Sequence, residues 1–387
     1  MKNIFIILIF VFKLSNLFAQ DYGEIKTIKI HSNELNQDRE FFIYTPRFYK
    51  EYIYQNYNVI YVFDSQTKEY FDLVHSLLPF LSKNVDNPYI VVGITSTWID
   101  DPENPYGRND DLLPKPKNVP QNNFYGHANR ENFIEFFEKE IIPYVDNNYR
   151  TKSKRILVGH SLSASFVIST FVLNPNLYDS YISISPNLVY DKQGVSNELE
   201  EKEIEYLKSS KFLFQSYVNE DNGWISSNSA RKRLNSLLKE KFPSKVNIVT
   251  DSIPNKNHFT TFVPGIINGL TSYFDFIEQQ PKKTYKTTIE VEVPNENDEV
   301  YISGNQDVLG NWKDGVVKMN RISKLKRAIT LNLKQESTFK FTRGSSEKEA
   351  VLKGYDLQYL GYIPISTSQE NNFSFEIVNW TDKMEKN

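Results

Sequence analysis

Between residues 24 and 278 the chain alternates short β-branched and aromatic runs with stretches of helical periodicity. The runs at 58–63, 89–94, 155–158, 180–184, 211–218 and 246–250 have the length and composition of buried strands. Residues 132–144 place Phe133, Phe136, Phe137 and Ile141 on one helical stripe, and a further helix is predicted over 164–173. Strands interleaved with helices predict an α/β fold, a mainly parallel sheet flanked by helices. Residues 100–124 are polar, rich in Pro and Asn and without periodicity, which predicts a long loop of the kind that shapes substrate access.

The pattern changes at Gln279-Gln-Pro-Lys-Lys-Thr284. Beyond it the runs at 287–293, 299–303, 328–333 and 373–378 alternate apolar and polar positions, with turns between them and no helical stretch. Regular short strands predict an antiparallel β-sandwich domain. The expected organisation is a main α/β unit over 20–278, a linker over 279–284 with few contacts across it, and a second unit over 285–387. At the N-terminus, Lys2 precedes the apolar run of residues 4–12, and Leu17-Phe18-Ala19 supplies a small residue for cleavage before Gln20. Residues 1–19 read as a signal peptide, because Lys13 interrupts an apolar run already too short to span a bilayer. A periplasmic or secreted protein is expected, with no membrane attachment after cleavage.

Composition narrows the class further. At 40% hydrophobic and 24% charged residues, this is an ordinary globular chain rather than a disordered one. A net charge of −3 and a pI near 6.1 leave no positive excess for a phosphate backbone, so no nucleic-acid partner is expected. The absence of cysteine excludes a thiol nucleophile, a disulfide framework, a lipid-anchored lipoprotein and a zinc–thiolate site.

Gly159-His160-Ser161-Leu162-Ser163 lies between a predicted strand and a predicted helix, the context that makes a G-x-S-x-G pattern a nucleophile elbow. Ser163 stands where the pattern has its second glycine. A serine hydroxyl needs a neighbouring base, and in this fold the base follows the nucleophile and the acid along the chain. Only His258 follows Ser161; His31, His75, His127 and His160 precede or adjoin the elbow. The acid should lie on the turn after the 211–218 strand, where Glu220 and Asp221 stand.

These features, with Asn58 to Asp64, Arg108-Asn-Asp-Asp-Leu-Leu-Pro114, Ser183-Ile-Ser-Pro186 and Asn257-His-Phe-Thr260, resemble the putative-esterase family of α/β-hydrolases across residues 30–275. That family includes enterochelin, feruloyl and acetylxylan esterases, S-formylglutathione hydrolases and mycolyltransferases, and the resemblance is strongest to its siderophore-esterase-like members. It implies an oxyanion hole built from the backbone N–H of Leu162 and that of Ser65 or Gln66. It also favours Glu220 over Asp221 as the acid. In the second unit, the stretch from Val300 to Trp312 and that from Thr338 to Ser345 resemble a starch-binding carbohydrate module. The resemblance implies an α-glucan partner and a sugar-stacking role for Trp312, with Tyr355 as a substitute for the family's second tryptophan. Trp312 covering the sandwich edge is the alternative.

The expected function is therefore a serine carboxylic-ester hydrolase that uses an acyl-enzyme and no cofactor or metal, acting on an acyl ester of a carbohydrate or small molecule. A siderophore ester, acyl transfer to a sugar and a non-catalytic carbohydrate-binding protein are the alternatives.

Overall fold

The structure is a computed structural model that describes residues 23–82, 89–96, 107–203, 207–218, 227–242, 245–355, 362–367 and 371–384. The expected signal segment lies outside these residues. No helix among them is long and apolar enough to cross a membrane.

Eight strands form the main sheet: β1 (Glu24–Ser32), β2 (Gln37–Thr45), β3 (Tyr57–Val62), β4 (Tyr89–Ile94), β5 (Thr151–His160), β6 (Ser180–Ile184), β7 (Lys211–Tyr217) and β8 (Val246–Ser252). They lie in the order β1-β2-β4-β3-β5-β6-β7-β8. From β4 to β8 every neighbouring pair is parallel, whereas β1 and β2 add an antiparallel edge. Residues of β3, β4 and β6 are buried throughout, because helices cover both faces. Alternation along β3 sends Val59 and Tyr61 to the core shared with Phe133, Phe137 and Phe166, and Ile60 and Val62 to the core shared with Phe71, Ile266 and Leu270. The helix Leu162–Leu173 is apolar nearly all round and correspondingly buried nearly all round.

Part of the 100–124 loop is helical. Gly107–Leu112 forms a short helix in which Asp111 is buried against Arg39, with N–O distances of 2.7 and 2.9 Å. Its place is fixed by that distant ion pair rather than by periodicity, which is why local pattern gave no sign of it.

The C-terminal region contains a four-stranded sheet and a five-stranded sheet. Side chains of both enter one core, including Ile302, Phe339 and Ile365 from one and Ile289, Val291 and Phe375 from the other. Pairing is antiparallel except that the strand Thr284–Glu292 runs parallel to Asn371–Trp380. The contact with the main unit is more extensive than a polar linker implies. Tyr54 packs edge-on against Phe373 and Phe375 at 5.1 and 5.3 Å, and its hydroxyl donates to the Ser374 carbonyl at 2.9 Å. Backbone and side-chain bonds also join Tyr54 and Asn56 to Ser366, and Lys152 pairs with Glu336.

Candidate active site

The strand β5 delivers its last residue, His160, to the carboxyl edge of the sheet, and the chain reverses sharply there into the helix Leu162–Leu173. Ser161 makes the reversal at φ 60° and ψ −117°, a conformation that costs a side-chain-bearing residue about 1–3 kcal/mol. Its backbone is held on both sides, the N–H by the Ile184 carbonyl at 3.0 Å and the carbonyl by the Asn187 N–H at 3.1 Å. A Cβ on Gly159 would stand 2.4 Å from the Ser163 carbonyl oxygen, so only glycine fits there. Ser163 is accommodated by bonding: its hydroxyl accepts from the His160 N–H and donates to the His160 carbonyl, both at 2.9 Å. The non-glycine residue thus clamps the turn instead of loosening it.

His258 lies beyond β8 on a single 3₁₀ turn, His258–Thr260. Asn257 caps that turn, accepting from the N–H groups of Phe259 and Thr260, while the Thr260 hydroxyl accepts from the Asn257 N–H at 3.0 Å. So fixed, the buried His258 ring places Nε2 2.7 Å from Ser161 Oγ. This is the distance at which an imidazole takes a hydroxyl proton.

Behind His258 lies a second histidine. His160 Nε2 is 2.9 Å from the His258 carbonyl oxygen, which also accepts from the Thr261 hydroxyl at 2.8 Å. A carbonyl can only accept, so Nε2 carries the proton and Nδ1, 3.2 Å from the Tyr70 hydroxyl, is the acceptor. Burial, reinforced by the neighbouring His258, lowers the His160 pKa to about 4 and keeps the ring neutral.

The loop after β3 supplies the other expected groups. Asp64 is buried, and Arg108 grips it with Nε and Nη2 at 2.5 and 2.6 Å. Burial alone would raise the Asp64 pKa, but the Arg108 charge and its hydrogen bonds outweigh that and hold the carboxyl below its ordinary value. Gln66 bonds Asp64 through Nε2 at 3.2 Å and accepts from the Ser96 N–H at 2.9 Å, which fixes the loop beside the elbow. Of the two residues expected to give the second oxyanion donor, Ser65 has its N–H committed to the Ile94 carbonyl at 3.0 Å. That bond corrects the expectation for Ser65 and leaves Gln66. Leu162 is the first residue of its helix, so its N–H has no acceptor within the helix.

Glu220 and Asp221 lie outside the described residues. In the second unit, Trp312 is 40% exposed, and its indole meets the Tyr362 ring at 5.0 Å and 90°. Tyr355 is elsewhere, half-buried against Tyr52 at 6.4 Å and against the C-terminal core. The structure therefore joins Trp312 to Tyr362, not to the expected Tyr355. Sequence reading also passed over His160, Tyr70 and Thr261, although His160 stands inside the elbow motif itself.

Comparisons with known proteins bear on the family and the fold. The profile of a family described as Putative esterase matches residues 32–235. Over 67 residues the chain is 31% identical to the ferri-bacillibactin esterase BesA of Bacillus subtilis; the match covers 17% of this chain and 23% of that protein's length. Among solved structures, an IroE-like serine hydrolase from Shewanella oneidensis superposes with a TM-score of 0.54 at 23% identity, covering 65% of this chain and 80% of the other. The BES protein from Bacillus cereus gives 0.52 at 21% identity, with 64% and 93% covered. The siderophore hydrolase EstB from Aspergillus nidulans gives 0.51 at 15%, with 64% and 94% covered. At such identities the structural likenesses speak for a shared fold.

Proposed function

The chain belongs to the Putative esterase family, and from that premise we propose that it is an exported serine carboxylic-ester hydrolase with Ser161 as nucleophile and His258 as base. The enzyme is an esterase of the α/β-hydrolase fold. The observation that carries the mechanism is the 2.7 Å approach of His258 Nε2 to Ser161 Oγ on a strained elbow. His258 takes the hydroxyl proton as the oxygen attacks the ester carbonyl, and the N–H groups of Leu162 and Gln66 receive the developing oxyanion. Collapse of the tetrahedral intermediate expels the alcohol, protonated by His258, and leaves the acyl group on Ser161. Water, deprotonated by the same imidazole, then releases the acid and restores the serine.

The favoured substrate is an acyl ester on a carbohydrate. This reading is supported by the C-terminal unit, which we take as a starch-binding-type β-sandwich with Trp312 as its sugar platform and an α-glucan as the ligand its resemblance implies. A siderophore ester is the second reading, favoured by the match to the ferri-bacillibactin esterase. A screen of the purified protein against p-nitrophenyl acetate, longer acyl esters, methyl ferulate and a ferric catecholate ester separates the two. A fluorophosphonate probe should label the wild type and not Ser161→Ala. If no ester is turned over and no label is taken up, the protein is a binder and the proposal fails.

A further inference from the structure

At the junction of the two units lies a groove of about 670 Å³ on the side of the main sheet away from Ser161. Its walls include Lys152 and Lys154 at the start of β5, whereas Ser161 follows the end of that strand, so about 20 Å of chain separates the two places. The groove is no part of the reaction centre.

Two features mark it as a ligand site. Trp312 reaches it from a turn in which both Asn311 and Trp312 have positive φ, 48° and 62°. Such backbone is unfavourable for any residue bearing a Cβ and most of all for a bulky one. The turn is nevertheless held there by the Trp312 N–H to the Gly304 carbonyl at 2.9 Å and the Asn311 N–H to the Gln306 carbonyl at 3.1 Å. The result of that strain is an indole 40% exposed, standing edge-to-face with Tyr362, itself 50% exposed. Two open aromatic rings at right angles offer a face and an edge to a sugar ring.

The second feature is charge. Four lysines and two glutamates line the groove, a positive excess on a chain whose net charge is −3. Lys152 is ion-paired with Glu336, and the Lys154 and Lys282 charges reach the same carboxylate, so one acidic group faces three cations there; Lys334 forms no ion pair among the described residues. Lys282 and Lys334 are exposed. These cations come from both units, since Lys154 belongs to the main sheet and Lys334 to the C-terminal sheets.

We propose that this groove is a composite anchoring site for an acidic glycan, a polysaccharide bearing carboxylates, with Trp312 and Tyr362 receiving a sugar ring and Lys154, Lys282 and Lys334 receiving its charge. The inference rests on the carbohydrate-ester reading and replaces the neutral α-glucan by an anionic chain. Anchoring the polymer remote from Ser161 raises the local concentration of its esters at the reaction centre without occupying it.

The test titrates the full-length protein with tetragalacturonate and, separately, with maltotetraose, following tryptophan fluorescence and heat at low and at physiological salt. Tetragalacturonate should bind at least tenfold more tightly than maltotetraose, and its affinity should fall several-fold as salt rises. Trp312→Ala should lose binding of both sugars. Lys154→Glu combined with Lys282→Glu should lose tetragalacturonate while leaving maltotetraose binding intact, which also reports that the groove is still folded. Equal or tighter binding of maltotetraose by the wild type, or binding of neither sugar, overturns the proposal. Turnover of p-nitrophenyl acetate by the same wild-type preparation reports the esterase reading independently.

Discussion

The Nε2–H of His160 donates to the backbone carbonyl of His258 at 2.9 Å, so the residue beside Ser161 fixes the main chain that carries the His258 imidazole. His160 is a positioning residue: its Nε2 holds the His258 backbone, and its ring lies against the His258 ring at 5.2 Å, without reaching Ser161 Oγ through a hydrogen bond of its own. His160→Phe removes the bond and should lower kcat by about 10- to 100-fold, the scale expected when a reacting group shifts by an ångström. His160→Gln keeps a donor amide near the same place and should recover much of the rate. Steady-state kinetics on p-nitrophenyl acetate, with the melting temperature recorded alongside, checks both. Equal losses in the two variants would separate the bond from the rate.

The same ring makes stability depend on pH. Its pKa is held near 4 in the folded protein against an ordinary value of 6.5, so between those values the unfolded chain binds the extra proton. Stability from this group is fully present above about pH 6.5 and is lost as the pH falls through 4, a loss of order 3 kcal/mol. The wild-type melting temperature should therefore drop more steeply from pH 7 to pH 4 than that of His160→Gln, which has no proton to gain. Parallel slopes would mean that other groups dominate the acid limb.

The elbow should separate chemistry from structure at two positions, Ser161 and Ser163. Ser161→Ala should abolish turnover, by at least about 10⁴-fold, with little change in melting temperature. Ser163→Ala should behave in the opposite way, because its hydroxyl bonds both backbone groups of His160 inside a buried turn. Its removal leaves those groups unsatisfied and should cost about 1–3 kcal/mol in urea unfolding, with activity persisting in the folded fraction.

The two units stabilise one another through Tyr54, whose ring is flanked by Phe373 and Phe375. A chain truncated after Gln280 exposes that ring and unpairs Lys152. It should still turn over p-nitrophenyl acetate at 20 °C but unfold with roughly 2 kcal/mol less stability, a fall of about 5 °C in Tm. An unchanged Tm would show the contacts across the junction to be energetically neutral.

What the sequence disclosed was what is local. The elbow is a contiguous motif bounded by a strand and a helix, and His258 is the only histidine beyond it, so both could be placed without tertiary information. The strand β1 alternates and is largely exposed, so it carries no continuous apolar run; β2 does, at Phe41-Phe42-Ile43-Tyr44, but its antiparallel place at the sheet edge depends on pairing with β1 and β4. The helix Gly107–Leu112 and the preference for Gln66 over Ser65 depend on partners at Arg39 and Ile94, distant in sequence. Tyr362 could not be paired with Trp312 from spacing, because strand order and not separation along the chain brings the rings together. The parallel pairing of the strand Thr284–Glu292 with Asn371–Trp380 likewise leaves no trace in an alternating pattern.

The acid that orients His258 is the remaining member of the proposed triad. β7 lies between β6 and β8 and ends at Tyr217, so Val218 stands between the strand ends that lead to the elbow's supporting loop and to His258. A carboxylate there would accept from the Nδ1–H of His258, select the tautomer with Nε2 free to take the serine proton, and stabilise the imidazolium that forms. Glu220 and Asp221 are the first acidic residues after the strand. The resemblance implies an acid in a Gly-Asn-Glu-Glu or Gly-Asp-Glu-Asp type of turn, which Val218-Asn219-Glu220-Asp221 approximates without the glycine and which favours Glu220. Glu220→Gln should therefore lower kcat by several orders of magnitude, up to about 10⁴-fold, with KM little altered, and Asp221→Asn should be much milder. The reverse ranking moves the role to Asp221. If kcat survives both substitutions, the enzyme works as a Ser161–His258 dyad, and the backbone support from His160 and Thr261 is then what holds the base in register.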